Sequence, residues 1–308
     1  MDKGAFKYTF TVFTPTYNRV DLLPRAYESL KNQTFRDFEW IVVDDGSTDG
    51  TDTLVQEWLE TSSFSIRYTW QPNSGKHVAI NRGVEKAQGY LFAILDSDDW
   101  YAPRALERFL YHWESIPDEK KPGFSGVVGL YAYPSGRIVG TKFPHDILDS
   151  DSIEIRTRYR VKGDNIAAHC TEVMREFPFP EDLGKYVTPG LVWNRRALRY
   201  ASRYVNEIFA YTEYQPGGLS DKIVVNRAKA PDAARLYYKE FISMGRPLPI
   251  DIALRNYANY VRYSLHAGIA LRKQILDAPS ELLWSISFLL GASLYLRDRI
   301  TLRRKGLK

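Results

Sequence analysis

The sequence predicts an α/β protein: a Rossmann-like, mostly parallel sheet flanked by helices, followed by a helical C-terminal extension. Three observations carry this. Short apolar runs alternate with amphipathic stretches through the first hundred residues, and β-α alternation with short links builds parallel sheets covered on both faces. The run after Gly89, Tyr90 to Leu95, is apolar throughout, as a strand buried on both faces is. Each run ends in a polar turn, and open α/β sheets bind ligands at that carboxyl edge.

Tyr8 to Thr14 is β-branched and aromatic and reads as the first strand, ending at Pro15-Thr16-Tyr17-Asn18-Arg19. Leu22, Leu23, Ala26 and Leu30 mark one helical face. Glu39 to Val43 is the second strand and runs into Asp44-Asp45-Gly46-Ser47-Thr48-Asp49-Gly50-Thr51, with a helix through Leu54, Val55, Trp58 and Leu59 behind it. Phe64 to Tyr68 is the third strand. A Pro72-Asn73-Ser74-Gly75 turn leads to a helix from His77 to Lys86. The fourth strand, after Gly89, delivers Asp96-Ser97-Asp98-Asp99-Trp100, and a helix opens after Pro103 with Asp99 placed to help cap it.

Past residue 122 the pattern changes. Gly126 to Tyr133 reads as a strand turned back at Pro134-Ser135-Gly136 into a hairpin with Arg137 to Gly140. Residues 141–166 show no clear period. Ala167 to Met174 reads as a strand, Phe177 to Gly184 as a loop, Leu191 to Leu198 as a helix and Arg203 to Tyr211 as a strand. Helical patterns dominate from Asp232. The expected division is a domain over 1–230, with a nucleotide-binding half (1–115) and an acceptor half (116–230), and a helical region over 231–308.

Composition narrows the function. At 44% apolar residues, 308 residues are enough for a sizeable core. Cys170 is the one cysteine, which excludes an internal disulfide and suits a reducing compartment. Met1-Asp2-Lys3-Gly4 has no secretory-signal character, so the expected location faces the cytoplasm. The net charge is +5, and residues 297–308 alone carry six Lys and Arg against Asp298. A nucleic-acid partner calls for a basic stripe through the fold rather than a tail, so none is expected. Neither a Gly-x-Gly-x-x-Gly dinucleotide loop, nor a Gly-Lys-Ser/Thr phosphate loop, nor a His-Glu-x-x-His helix is present.

The acidic turn is the chemical focus. Asp96 and Asp98, two apart, point to one side of an extended backbone. Two carboxylates at a sheet's carboxyl edge suit Mg²⁺ or Mn²⁺ with positions left for substrate phosphates. Asp44 and Asp45 can accept hydrogen bonds from a base or ribose, Gly46 permits close backbone approach, and Lys76, after a flexible turn, can reach a phosphate.

Pro15-Thr16-Tyr17-Asn18-Arg19, Val43-Asp44-Asp45-Gly46-Ser47, Gly75-Lys76-His77 with Asn81 and Gly83, and Leu95-Asp96-Ser97-Asp98-Asp99 together resemble the family 2 glycosyltransferases of the GT-A fold. The looser likeness of Gly163-Asp164, Leu191 to Arg195 and Asn256-Tyr257 is to a bacterial surface-polysaccharide subgroup. The resemblance implies inverting transfer of a hexosyl or hexosaminyl group from a nucleotide-diphosphate sugar, a UDP-sugar first of all, to a saccharide acceptor that is lipid-linked. It implies nucleotide binding by Pro15, Thr16, Tyr17, Arg19, Asp45, Ser47, Lys76 and Asp96, and Mn²⁺ or Mg²⁺ ligation by Asp98 and Asp96. Relatives carry an acid just ahead of the Leu-Val-Trp helix, where this chain has Thr188-Pro189-Gly190. The catalytic base is then expected at Asp182, with Glu181 second.

Leu282 to Leu296 carries no charge and adjoins the basic tail. Fifteen residues fall short of the roughly 20 that span a bilayer. An interfacial helix on the cytoplasmic face fits better, with Trp284 and Tyr295 at headgroup depth and the tail on anionic lipid. Two other classes compete. A sugar nucleotidyltransferase needs a glycine-rich loop where this chain has Pro15-Thr16-Tyr17-Asn18; a non-catalytic nucleotide-sugar-binding protein at the membrane fits the missing acid before Leu191.

Overall fold

In the computed structural model, which describes residues 3–213, 223–304 and 306, β1 (Tyr8–Thr16), β2 (Phe38–Asp44), β3 (Ser65–Trp70) and β4 (Gly89–Ile94) run parallel in the spatial order β3-β2-β1-β4. They are linked by α1 (Leu23–Lys31), α2 (Thr51–Thr61) and α3 (Lys76–Lys86). Both sheet faces are covered, and β1, β2 and β4 are buried along nearly their whole length. On one face Phe10, Val12, Trp40 and Val42 pack with Tyr27 of α1 and Trp58 of α2, whose rings stack 4.4 Å apart. On the other, Phe13 stacks on Phe92 at 5.3 Å, and α3 lies so close that a Cβ on Gly83 would meet the Phe13 ring at 2.3 Å.

The sheet continues through β5 (Asp99–Tyr101), β6 (Phe124–Ala132), β7 (Ile147–Ser150), β8 (Asn165–Cys170) and β9 (Ala201–Thr212), in the order β3-β2-β1-β4-β8-β6-β9-β5, with β7 also on β9. β8 is antiparallel to β4 and β6, β6 and β9 are parallel, and β5 and β7 are antiparallel to β9. α4 (Ala105–Glu114), α5 (Ser152–Thr157) and α6 (Thr171–Glu176) complete this half.

Four expectations are corrected or refined. Asp99 does not cap a helix: it opens β5, and α4 begins at Ala105 with no side-chain cap. The hairpin turns where expected but is short: its arms meet at one bridge, Ala132 with Ile138, and in the bonds from the Tyr133 N–H to the Arg137 carbonyl and from the Val139 N–H to the Tyr131 carbonyl. The strand read over 167–174 turns helical at Thr171, whose hydroxyl donates to the Gly89 carbonyl. The patternless stretch 141–166 holds β7 and α5, the latter capped by Asp151, which accepts from the backbone N–H of Ile153 and Glu154.

A buried acid ties the sheet together. Glu39 on β2 is fully buried, and its carboxylate accepts from Thr11 Oγ1 (2.7 Å), the Gln88 N–H (2.6 Å) and Arg67 (3.1 Å). Deleting one member of a buried charged network leaves the others desolvated and unpaired. Glu39→Ala is therefore expected to cost about 3 kcal/mol, read by urea unfolding; a loss below about 1 kcal/mol would show that water replaces the carboxylate.

Contacts divide the chain into two units: Met1–Phe179 with Arg196–Gln215, which holds the whole sheet, and Pro180–Arg195 with Pro216–Lys308, which is helical. After α7 (Gly190–Ala197) come α8 (Ile223–Lys229), α9 (Pro231–Ser243), α10 (Ile250–His266), α11 (Leu271–Asp277) and α12 (Glu281–Arg304). Tyr238, Tyr257, Tyr260, Val261, Tyr263 and Trp284 form the core of the second unit. α12 crosses α10 closely at Gly291, where a Cβ would meet the Ala258 carbonyl oxygen at 2.5 Å.

α12 buries Trp284, Ser287, Gly291 and Asp298 on one face. Trp284 thus packs inward, against Phe288, and does not sit at headgroup depth as expected. The face left in solvent carries Leu282, Ile286, Leu289, Leu290, Leu296 and Ile300, of which Leu289 is 78% exposed. Among the described residues no helix is long and apolar enough to cross a membrane. Lys305 and Lys308 of the basic tail lie outside the described residues.

Candidate active site

The acidic segment leaves β4 at its carboxyl end and folds into a tight turn, closed by the Asp99 N–H on the Asp96 carbonyl (3.0 Å). Asp96 and Asp98 are therefore brought together by a turn and not by the extended backbone that the two-residue spacing implied. Lys76, the first residue of α3, donates to Asp96 Oδ2 at 2.6 Å. Asp96 Oδ1 is buried and has no hydrogen-bond partner among the described residues. Burial, and then the Asp96 charge, hold the Asp98 carboxyl above the ordinary carboxylate range. Asp99, deeper, is pushed up to about 7 by burial and by Asp96, against hydrogen bonds from Thr212 and Tyr131. Burial works against the Lys76 ammonium, but Asp96, with Asp99 and Asp98, outweighs it and raises its pKa. The turn holds more negative charge than its surroundings balance.

The adjoining edge is knitted by side chains. Asn18, in the left-handed region at φ 50°, accepts from the Thr48 N–H, and its own N–H donates to Ser47 Oγ. Asp44 accepts from the Ser47 N–H and from the Tyr68 hydroxyl. Asp45 Oδ1 accepts from Gln71 Nε2 and the Ser74 N–H, and Oδ2 from the Gly75 N–H, all within 2.8 Å. The residue singled out for base recognition thus also builds the turn that launches α3. Gly46 is required at φ +89°, and a Cβ there would lie 2.9 Å from the Asn73 nitrogen.

Pro15 and Thr16 end β1, opposite Val43 and Asp44. Thr16 Oγ1 is buried without a partner, Tyr17 is 49% exposed, and Arg19 lowers the pKa of Asp98 through its charge. The predicted nucleotide residues therefore gather along the ends of β1, β2 and β4, with Lys76 at the start of α3. Glu181 and Asp182 are exposed in the loop between α6 and α7 and belong to the second unit. Asn81 holds Phe179, the last residue of the first unit before that loop, by two hydrogen bonds of 2.9 Å.

Sequence reasoning missed Arg25. From α1 it donates to the Asp98 carbonyl (3.1 Å) and to Glu213 (2.5 Å), and it lies over the Trp100 ring at 4.8 Å. An arginine on a helical polar face 73 residues from its partner gives no local signal. Tyr131 and Thr212, which meet Asp99 from β6 and β9, were equally invisible.

Among the described residues no cluster of three or more His, Cys, Asp or Glu side chains is built to hold a metal ion by itself. The residues present still fit Mg²⁺ or Mn²⁺, which bind through one or two carboxylates plus substrate phosphates. The partnerless Asp96 Oδ1 and the Asp98 carboxylate are hard oxygen donors of that kind.

A sheet of this order, with a carboxylate turn after its fourth strand, is the GT-A glycosyltransferase architecture. The S. aureus TarS 1–349 structure in complex with UDP-GlcNAc aligns with a TM-score of 0.64 over 97% of this chain and 92% of that one, at 18% identity. The mannosyltransferase PcManGT from Pyrobaculum calidifontis, in complex with GDP-Man and Mn²⁺, aligns at 0.58 over 95% and 88%, also at 18% identity. These likenesses are of fold. In sequence, residues 11–165 match glycosyl transferase family 2, and the chain belongs to that family.

Its relatives include the putative teichuronic acid biosynthesis glycosyltransferase TuaG of Bacillus subtilis, 37% identical over 105 residues, 34% of this chain and 42% of TuaG. Another is the GalNAc(5)-diNAcBac-PP-undecaprenol beta-1,3-glucosyltransferase of Campylobacter jejuni, 37% identical over 102 residues, 32% of this chain and 33% of that protein. The matched stretch spans about a third to two fifths of these relatives.

Proposed function

We propose that the protein is an inverting glycosyltransferase that moves a hexosyl or hexosaminyl group from a nucleotide-diphosphate sugar, a UDP-sugar first of all, to a hydroxyl of a lipid-linked saccharide in surface polysaccharide synthesis. The observation that carries this reading is a pair of buried oxygens, Thr16 Oγ1 and Asp96 Oδ1, without partners among the described residues, at the carboxyl ends of the neighbouring strands β1 and β4. A buried polar atom without a partner calls for one from a ligand, an ion or water, and these two lie at the sheet edge where open α/β sheets bind ligands.

In this reading the acceptor hydroxyl attacks the anomeric carbon as the bond to the diphosphate breaks. The bonding pair leaves with the diphosphate and the hydroxyl proton passes to a carboxylate, Asp182 with Glu181 second. Mn²⁺ or Mg²⁺ on Asp96 and Asp98 supplies charge neutralisation to the leaving group. Lys76 adds a second positive charge there, Tyr17, Pro15 and Asp45 hold the base, Ser47 the adjoining loop, and Arg19 the acidic edge. A melting screen of UDP- and GDP-sugars with and without Mn²⁺ tests the donor reading. A bound donor at 100 times its dissociation constant should add about 2.7 kcal/mol; no response to any nucleotide sugar would overturn it. The neutral Thr188-Pro189-Gly190 ahead of α7 favours one second reading, a protein that binds nucleotide sugars without transferring them. Donor binding with no product across lipid-linked acceptors would select it.

In this reading the enzyme works on a lipid-linked acceptor at the cytoplasmic face of the membrane, held peripherally by α12. Its solvent face is apolar through Leu282, Ile286 and Leu289, and exposed Arg297, Arg299, Arg303 and Arg304 follow at its end. Burying one leucine is worth about 1.5–3 kcal/mol. The double variant Leu282→Asp, Leu289→Asp is expected to lose more than tenfold in sedimentation with phosphatidylglycerol vesicles; unchanged sedimentation would remove α12 from the interface.

A further inference from the structure

Three partly or fully buried arginines of the second unit close on carboxylates. Arg195 closes on Glu240 through two bonds of 2.6 and 2.8 Å, Arg235 on Asp277 at 2.6 Å, and Arg262 on Asp298 at 2.5 and 2.6 Å. Arg227 on α8, also shielded from solvent, has no carboxylate partner among the described residues. Its Nε donates to Thr188 Oγ1 at 3.2 Å and one Nη to the Tyr238 hydroxyl at 2.8 Å. Its guanidinium lies 5.6 Å from the centroids of both the Tyr237 and Tyr238 rings.

Charges this shielded are ordinarily paired, and a guanidinium held by neutral groups and ring faces alone is only partly compensated. A further side-chain hydrogen bond joins Arg227 to the Tyr263 hydroxyl, and with five N–H donors on an arginine the fork is still only partly used. The neutral partners accept from Arg227, so the Thr188 and Tyr238 hydroxyls each keep a proton to give. Burial pushes the Tyr238 phenol up to about 12, so it stays a donor at neutral pH. One cation and two hydroxyl donors, with no carboxylate paired to the cation among the described residues, make a site for an oxyanion.

We propose that Arg227, Tyr238 and Thr188 form an anion-binding site for a phosphate or carboxylate group carried by the acceptor. The assignment of the anion to the acceptor rests on the transferase reading; the site itself does not. Arg227 holds the anion by the N–H donors its hydroxyl partners leave over, and Tyr238 and Thr188 donate to its remaining oxygens. The sugar acceptor is then recognised by its charge as well as by its hydroxyls.

The test is calorimetric titration of the full chain, without nucleotide, with sn-glycerol 3-phosphate and with glucuronate, which separate a phosphate from a carboxylate ligand. Wild type should bind at least one. Arg227→Gln should weaken that binding at least tenfold, Arg227→Lys, which keeps the charge and loses the fork, by less, and Tyr238→Phe about threefold. Tyr238→Phe keeps the test informative where Arg227→Gln fails to fold. Three results would overturn the site: no binding of either anion, binding unchanged in the variants, or binding abolished by Lys76→Gln and kept in Arg227→Gln, which would place the anion at the acidic turn. Loss of nucleotide-sugar binding in wild type, measured separately, would sink the transferase reading and leave this site standing.

Discussion

Asp98→Ala is expected to lower sugar transfer at least a thousandfold, about 4 kcal/mol of transition-state stabilisation, without lowering the melting temperature of the metal-free chain. The two halves of this expectation have one cause. Burial and the neighbouring Asp96 raise the pKa of the Asp98 carboxyl, so its ionised form is held in the fold at a cost. Removing it relieves that repulsion; it also removes a ligand for the cation that neutralises the departing diphosphate. The sign follows from linkage: a carboxyl whose folded pKa is raised opposes folding at pH values above its ordinary pKa. Stabilisation by UDP with Mn²⁺ should disappear in the variant while wild type keeps it. Turnover within a few-fold of wild type would end the metal assignment, and a large drop in melting temperature would show that Asp98 serves the fold.

The first four strands and their helices were legible because burial on both faces leaves a run of apolar residues with polar punctuation, and no tertiary contact need be guessed to see it. β5 and β7 were not, since strands of three and four residues carry too little pattern. Ile147, at the start of β7, is half exposed, so even its burial sends no signal. The site divides in the same way. Asp96, Asp98 and Lys76 sit next to strand and helix ends in the sequence, and the Lys76–Asp96 contact follows once the strands are parallel. Asp45 was read as a ligand for a base, and its oxygens prove to hold Gln71, Ser74 and Gly75 as well; a residue's spare bonding capacity is a property of the folded loop. Arg25 and Arg227 depend on contacts with Asp98 and Thr188, 73 and 39 residues away, which no local pattern encodes. Trp284 shows the converse error: an aromatic in an apolar run looked interfacial, and helix phase turned it inward.

Asp298→Ala is expected to destabilise the second unit by about 3–5 kcal/mol, the cost of stranding a buried charge. Asp298 on α12 is 2% exposed and takes both arms of Arg262 from α10, at 2.5 and 2.6 Å, with His266 Nε2 at 3.1 Å. Taking the carboxylate away leaves Arg262, itself 6% exposed, with Asn259 as its other side-chain partner. The loss falls where α12 and α10 already approach at Gly291, so packing there cannot open to admit water without separating the helices. Burial alone would raise the Asp298 pKa, but hydrogen bonds from His266 and Arg262 outweigh it and hold it below the ordinary value of 3.8. The stability this group contributes is therefore fully present above the unfolded carboxylate pKa and is lost as pH falls through the lower folded value. Wild type should lose stability on acidification in that range, and the Asp298→Ala variant should lack this part of the dependence. Urea unfolding at pH 7 and pH 3 measures both. A variant within about 1 kcal/mol of wild type at pH 7 would show that Arg262 finds solvent, and that the pair does not fasten α12 to α10.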